Sequence, residues 1–301
     1  MGRLPNVLPR SAAGSPRLDR VDRVGWTVGT CFESHGLRLG VRSNCDALAE
    51  RLPAVLPPGA RLRRCAAVDH VFSLWVPGGG RARAIRLYSD DRPQHARGLD
   101  DALARLEAEI RRTVAAGAPR RTFVHAGAVG WLGRAILVPG RSRSGKTTLV
   151  AELVKAGAEY LSDEFAVLDR RGRVHPFAQR LSVRGPGGCD RHVQRPSAED
   201  LGGRAAREAR PVGMVVVTGH RPGAAWAPHS LTEGEALLEL LAHTAAARTR
   251  PEAAIDALRR AVAGALRLKG ERGEAAELAP RLLDAATRAW GGGTAAPERR
   301  S

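Results

Sequence analysis

The sequence predicts an α/β protein: a domain of strands and helices built round a glycine-rich loop, preceded by a small α+β domain. Three observations carry this reading. Gly140-Arg141-Ser142-Arg143-Ser144-Gly145-Lys146-Thr147 follows a strand-like run and opens a helical one. Leu99, Leu103, Leu106, Ile110 and Val114 recur at three- and four-residue spacing, the stripe of a helix that ends at Gly117 and Pro119. Val212 to Val217 is almost purely apolar, as expected of a strand buried on both faces.

The chain has 301 residues, 43% of them apolar, enough for one large domain or two modest ones. Aromatics make up only 4%, so the core has to be packed from Ala, Leu and Val. The formal charge of +17 raises the question of nucleic acid. Basic pairs such as Arg111-Arg112, Arg170-Arg171 and Arg259-Arg260 are scattered among acids, however, and no aromatic residues interleave with them. A solvated basic surface is the expectation, without a nucleic-acid partner. Of the 48 basic residues only three are lysines, at 146, 155 and 269, so a lysine inside the glycine loop stands out. Cys31, Cys45, Cys65 and Cys189 lie far apart without a C-x-x-C pair, which indicates neither a zinc site nor a disulfide framework. Residues 1–20 lack an apolar signal region and no later run is long enough to span a bilayer, so the expectation is a soluble, cytoplasmic protein.

Residues 1–20 and 291–301 mix Pro, Gly, Ser and Arg without periodicity and read as disordered tails. Residues 21–118 read as the α+β domain. A hairpin at Trp26–Cys31 and Leu37–Val41 is followed by a short helix after Asn44, then by strands at Val68–Val76 and Arg83–Tyr88 around a Pro-Gly-Gly-Gly turn. In the second domain, residues 119–290, strands at Phe123–Trp131 and Arg134–Val138 lead into the loop. A helix spans Lys146–Ala156 with Gly157 as its C-terminal cap. Tyr160–Leu168 and Arg173–Phe177 read as strands. Thr232 and Glu235 form a capping box, Pro251 opens a helix, and Glu274–Ala289 reads as the last one.

The loop satisfies G-x-x-x-x-G-K-[ST], the Walker A pattern. A helix N-terminus offers unpaired backbone N–H groups and the positive end of its dipole, so residues 140–148, ending in Thr147 and Thr148, form a cradle for phosphate. Lys146 would reach the β- and γ-phosphates of ATP, and the Thr147 hydroxyl would ligate Mg²⁺. Arg143 occupies a slot where many such loops have a third glycine. It either hinders backbone approach or adds a phosphate contact.

Such loops need an acid on a following strand, and Leu161-Ser162-Asp163-Glu164-Phe165 supplies two. In a regular strand neighbouring side chains face opposite ways, so both carboxylates reach the phosphates only if the strand ends or bulges there. His125, in the strand before the loop, is on pattern alone a core histidine.

The segment from His125 to Asp163 resembles the C-terminal domain of the HPr serine kinase/phosphorylases and of smaller HPr-kinase-like proteins, including kinases that modify ribosomal peptides. It does so through a His-Ala/Gly step, a hairpin, a Gly-x-Ser-x-x-Gly-Lys loop, a helix ending Lys155-Ala156-Gly157, and a strand with paired acids. The resemblance implies a mixed sheet like that of phosphoenolpyruvate carboxykinase. It also implies ATP and Mg²⁺ as cofactors, His125 as a neighbour of the γ-phosphate, Thr147 and Asp163 at the metal, and Asp163 with Glu164 sharing the metal and base roles. The implied activity is transfer of the γ-phosphoryl group to a hydroxyl, a serine of a peptide or small protein. Thr147-Thr148 stands where the bacterial HPr kinases have Ser-Glu, and Glu164 stands for their second Asp. These departures put HPr itself, and phosphorylase activity, in question. The competing reading is a nucleotide-binding accessory or scaffold protein without phosphotransfer. A homo-oligomer is compatible with either.

Overall fold

The computed structural model describes residues 8–12, 16–65, 67–77, 85–141, 144–184 and 193–291. The chain divides into two compact units, Met1–Arg120 and Arg121–Ser301.

In the first unit a six-stranded sheet runs in the order β4-β2-β3-β6-β7-β8. Its strands are β2 (Val28–Ser34), β3 (Leu37–Ser43), β4 (Arg61–Arg63), β6 (His70–Trp75), β7 (Ile85–Ser89) and β8 (Arg92–Ala96). The hairpin of β2 and β3 forms at the expected place. Two short 3-10 turns, Asp46–Leu48 and Leu52–Val55, stand where a helix was expected after Asn44; Pro53 denies the segment a helix's ladder of amide donors. Helix α2 (Leu99–Gly117) lays its apolar stripe, Leu103, Leu106, Ile110 and Val114, against β6, β7 and β8.

The segment read as an N-terminal tail carries structure: β1 (Arg10–Ser11) pairs in parallel with β5 (Ala67–Val68), and α1 spans Pro16–Asp22. Arg42 is the reason. Its guanidinium is buried, donates to the carbonyl of Pro9 and to Ser73 Oγ, pairs with Asp22 and lies 4.9 Å from the Trp26 ring. A buried cation needs such partners, and the chain before β2 supplies three of them. Of the expected C-terminal tail, residues 292–301 lie outside the described residues, as do residues 78–84 of the Pro-Gly-Gly-Gly turn.

The second unit is a mixed sheet between two layers of helices. The sheet runs β12-β10-β11-β17-β14-β13-β9, with β19 beside β17 and β18 beside β19. Its members are β9 (Thr122–Val124), β10 (Ala126–Trp131), β11 (Arg134–Pro139), β12 (Glu159–Ser162), β13 (Ala166–Leu168), β14 (Arg173–His175), β17 (Arg210–His220), β18 (His229–Ser230) and β19 (Leu266–Arg272). A separate small pair joins β15 (Val183–Arg184) to β16 (Val193–Gln194). β11 is antiparallel to β10 and parallel to β17, and β17 is parallel to β19.

Two-residue alternation splits the core. Ile136, Val138, Met214 and Val216 pack with α3 (Lys146–Lys155) and α6 (Ala275–Trp290) on one face. Ala135, Leu137 and Val215 pack with α4 (Glu233–Leu241) and α5 (Pro251–Val262) on the other. Both faces of β11 and β17 are thus covered at their centres, which is why residues 135–138 and 214–217 are apolar without alternation. The expected signals at the helix ends are present. Thr232 and Glu235 close a capping box on α4, and Pro251 sits in the first turn of α5. After α3, Gly157 takes φ +101° while its N–H and that of Ala158 bond the carbonyls of Val154 and Leu153, a Schellman stop.

Close packing of α3 on β10 depends on a missing side chain. A Cβ at Gly127 would lie 2.5 Å from Val150 Cγ2, whereas one at Gly219 meets nothing within 4 Å. Gly127→Ala is therefore expected to destabilise the protein by about 1–3 kcal/mol through overpacking, with Gly219→Ala within about 0.5 kcal/mol of wild type. Denaturant unfolding of the two variants in parallel checks this, and equal midpoints would refute it.

Candidate functional site

The site begins where β11 ends. Gly145 is the N-cap of α3 and takes φ +80°, a left-handed conformation open to glycine. A side chain there would also strike Arg272, whose Nη2 would lie 2.5 Å from the added Cβ. A Cβ at Gly140, at the other end of the loop, would come within 2.8 Å of Ser144 Oγ. Glycine at both positions lets the backbone turn back on itself. Ser142 and Arg143 lie outside the described residues.

Lys146, the first residue of α3, folds its side chain over the loop. It is only 6% exposed, and its Nζ donates to the carbonyl of Arg141 at 2.7 Å. Burial pushes its pKa down to about 8, against the upward pull of the Asp163 and Glu164 carboxylates. The ammonium therefore sits in a place that disfavours its charge, close to both acids.

Those acids are both available to the site because the strand breaks where they stand. β12 stops at Ser162 and β13 resumes at Ala166, so the single strand expected over Tyr160–Leu168 is two. Ser162 Oγ accepts from the backbone N–H groups of Glu164 and Phe165, at 3.3 and 3.1 Å, and turns the chain. Alternation no longer applies across residues 163–165. Asp163, 6% exposed, accepts from the Tyr160 hydroxyl at 2.8 Å and is also hydrogen bonded by Thr147. Burial raises its pKa and those hydrogen bonds oppose the rise. The same burial, with the adjacent carboxylate, pushes the Tyr160 phenol up. Glu164 takes another neighbourhood, accepting from Gln179 Nε2 at 2.9 Å and lying within electrostatic reach of His125.

His125 occupies the gap between β9 and β10. Its Nδ1 lies 2.9 Å from the carbonyl oxygen of Gly140. A carbonyl only accepts, so Nδ1 carries the proton and, in the neutral ring, Nε2 is left as an acceptor. Desolvation first, and the Lys146 ammonium second, lower its pKa, which favours that neutral ring. The histidine read on pattern as an ordinary core residue thus stands at the mouth of the loop.

Two further residues at the loop were missed by sequence reasoning. The segment after α4 runs beside β9 through the bridge Val124↔Thr244 and the bonds His125 N–H to His243 O and Ala245 N–H to Phe123 O. This brings His243 close enough for Lys146 to lower its pKa, after desolvation. Arg272, at the end of β19, is 3% exposed and donates from Nη2 to the carbonyl of Gly145 at 3.0 Å and from Nη1 to that of Gly273 at 3.0 Å. Nothing in an arginine-rich sequence singles it out, because its place depends on parallel pairing of β19 with β17.

The Lys146 ammonium gives a stability signature. Its folded pKa, about 8, lies below the ordinary 10.5, so between those values the unfolded chain holds the extra proton. Unfolding free energy should therefore rise with pH across that window relative to Lys146→Met, which lacks the group. Denaturant unfolding of both proteins at pH 7.5 and pH 10 measures the difference, and parallel behaviour would contradict the burial of this ammonium.

No family model and no curated protein matches the chain. Among solved structures, the HPr(Ser) kinase/phosphatase from Coxiella burnetii is similar over 55% of this chain and 93% of its own, at 13% identity and a TM-score of 0.31. A likeness that remote assigns no activity. Among the described residues no cluster of three or more His, Cys, Asp or Glu is placed to hold a metal by itself, and no helix is long and apolar enough to cross a membrane. The chain itself presents a mixed α/β fold with a lysine, a threonine, two carboxylates and two histidines near one glycine loop.

Proposed function

We propose that this chain is an ATP-dependent kinase that transfers the γ-phosphoryl group to a hydroxyl, a serine of a peptide or small protein. The observation that carries the reading is the convergence of Lys146, Thr147, Asp163, Glu164 and His125 at the N-terminus of α3.

The residues fit a bound triphosphate. Among the described residues, buried Ser144 Oγ has no hydrogen-bond partner, and a buried donor without an acceptor is a rare and costly condition that a phosphate oxygen would relieve. The Lys146 ammonium, held against its charge by desolvation, would gain from the same anion. The donor set also fits Mg²⁺, which prefers a few oxygens, its own waters and substrate phosphates over an all-protein cage. Thr147 and Asp163, already hydrogen bonded to each other, would hold the ion, which supplies positive charge to the phosphate oxygens.

The two carboxylates then divide the work by environment. Asp163 faces Thr147 and belongs to the metal side. Glu164, beside His125 and Gln179, would accept the proton of the acceptor hydroxyl. As that proton moves to Glu164, the hydroxyl oxygen bonds to the γ-phosphorus and the bond to the ADP oxygen breaks. Lys146 and the backbone N–H groups of the loop meet the charge on the transferring group. His125 contributes Nε2 at the edge of the same space. Little covalent help is needed, so positioning and charge supply most of the rate.

Incubation with ATP, Mg²⁺ and a panel of serine peptides should give phosphopeptide, with Lys146→Ala lowering kcat roughly 10²- to 10³-fold. Asp163→Asn should raise the Mg²⁺ concentration needed for half-maximal rate, while Glu164→Gln lowers kcat and leaves the KM for ATP near wild type. Equal labelling by wild type and all three variants would end the kinase reading. Firm ATP binding with no transfer to any acceptor would favour the accessory-protein alternative.

A further inference from the structure

Beyond the phosphate loop lies a cleft that the kinase reading does not yet use. It has a volume of about 340 Å³ and is bounded by Trp226, Arg272, Glu274, Glu277, Leu278 and Arg281. We propose that this cleft receives the nucleoside end of the triphosphate, with the base against Trp226. The proposal rests on the phosphate-loop reading and adds to it the place where the rest of the nucleotide goes.

Connection is the first argument. Arg272 lines the cleft and, through the same guanidinium, holds the carbonyl of Gly145 at the N-cap of α3. A triphosphate whose terminal phosphates lie in the loop has its nucleoside a few bonds away. A cavity that shares a side chain with the loop's last glycine is within that reach. Its volume falls in the roughly 300–1,000 Å³ range of small-molecule sites.

Chemistry is the second. Trp226 is half-buried and packs near β19, where a Cβ at Gly270 would stand 3.2 Å from its ring and one at Gly273 would stand 2.8 Å from the carbonyl of Ala224. The two glycines let the 223–226 segment close on the strand, and the indole packs against the core of this face while lining the cleft. An indole face is a sequence-tolerant platform for a base. Leu278 adds an apolar wall. Glu274 and Glu277 offer carboxylate acceptors of the kind that ribose hydroxyls donate to.

An unsatisfied donor is the third. Arg272 is 3% exposed, and its Nε has no hydrogen-bond partner among the described residues, although Nη1 and Nη2 each bond a backbone carbonyl. Both partners are neutral carbonyls, and the Glu274 carboxylate acts on the guanidinium only through space. An α-phosphate oxygen between the loop and the cleft would supply the missing acceptor for Nε.

The test compares ATP with inorganic tripolyphosphate, which has the phosphates and lacks the nucleoside. Binding to the full-length protein with Mg²⁺ is measured by calorimetry for wild type, Trp226→Ala and Glu277→Ala, with a thermal unfolding curve for each. The expected result is that Trp226→Ala weakens ATP about tenfold or more and Glu277→Ala weakens it severalfold, while both keep tripolyphosphate within about twofold of wild type. If both variants bind ATP like wild type, or lose ATP and tripolyphosphate alike while remaining folded, the cleft is not the nucleoside site. If Trp226→Ala instead raises the KM of an acceptor peptide with ATP unaffected, the cleft belongs to the acceptor and the proposal is overturned. Wild type binding tripolyphosphate but not ATP defeats the cleft and spares the loop; wild type binding neither defeats both.

Discussion

At the head of α3 an ammonium, a helix dipole and a set of unpaired backbone N–H groups are concentrated in one small volume. Lys146 is the first helical residue, so its charge stands at the positive end of the helix, and its side chain is turned inward. These contributions oppose one another in the free protein. Asp163 and Glu164 offset part of the cost, and the carbonyl of Arg141 another part. An anion in the loop would satisfy all of them together.

The loop rises from a sheet covered on both sides. Helices α3 and α6 on one face and α4 and α5 on the other enclose β11, the strand that leads into the loop, and its neighbour β17. The close approach of Val150 to Gly127 fixes the distance of α3 from the sheet. Against this frame the break at residues 163–165 is a local exception. Ser162 replaces strand hydrogen bonds with its own hydroxyl and thereby turns two neighbouring carboxylates toward different partners.

The loop was legible in the sequence because its chemistry is local: glycine, lysine and threonine at fixed spacing between a strand and a helix. Helix ends at Thr232, Pro251 and Gly157 were legible for the same reason, since caps are decided within a few residues. The pairing of Asp163 with Glu164 was legible only as a condition, that both reach the site if the strand breaks. His243 and Arg272 were not legible. One arrives through the bridge of its neighbour Thr244 to Val124 and the other through parallel pairing of β19 with β17, which are contacts between distant parts of the chain. The anchoring of residues 9–22 by Arg42 was hidden likewise, because one arginine among many gives no sign that it is buried.

The position of Arg272 has a consequence for how the protein is made. The glycine loop emerges from the ribosome well before the arginine that grips its last glycine, and before Thr244, whose bridge to Val124 brings His243 beside the loop. A nascent chain can form the β10–β11 hairpin and α3 early, but the loop's backbone gains its outer support only when β19 has docked on β17. Completion of the loop's support is thus delayed until translation has delivered the C-terminal portion of the chain, and an early stop codon would leave the glycine loop without its clamp.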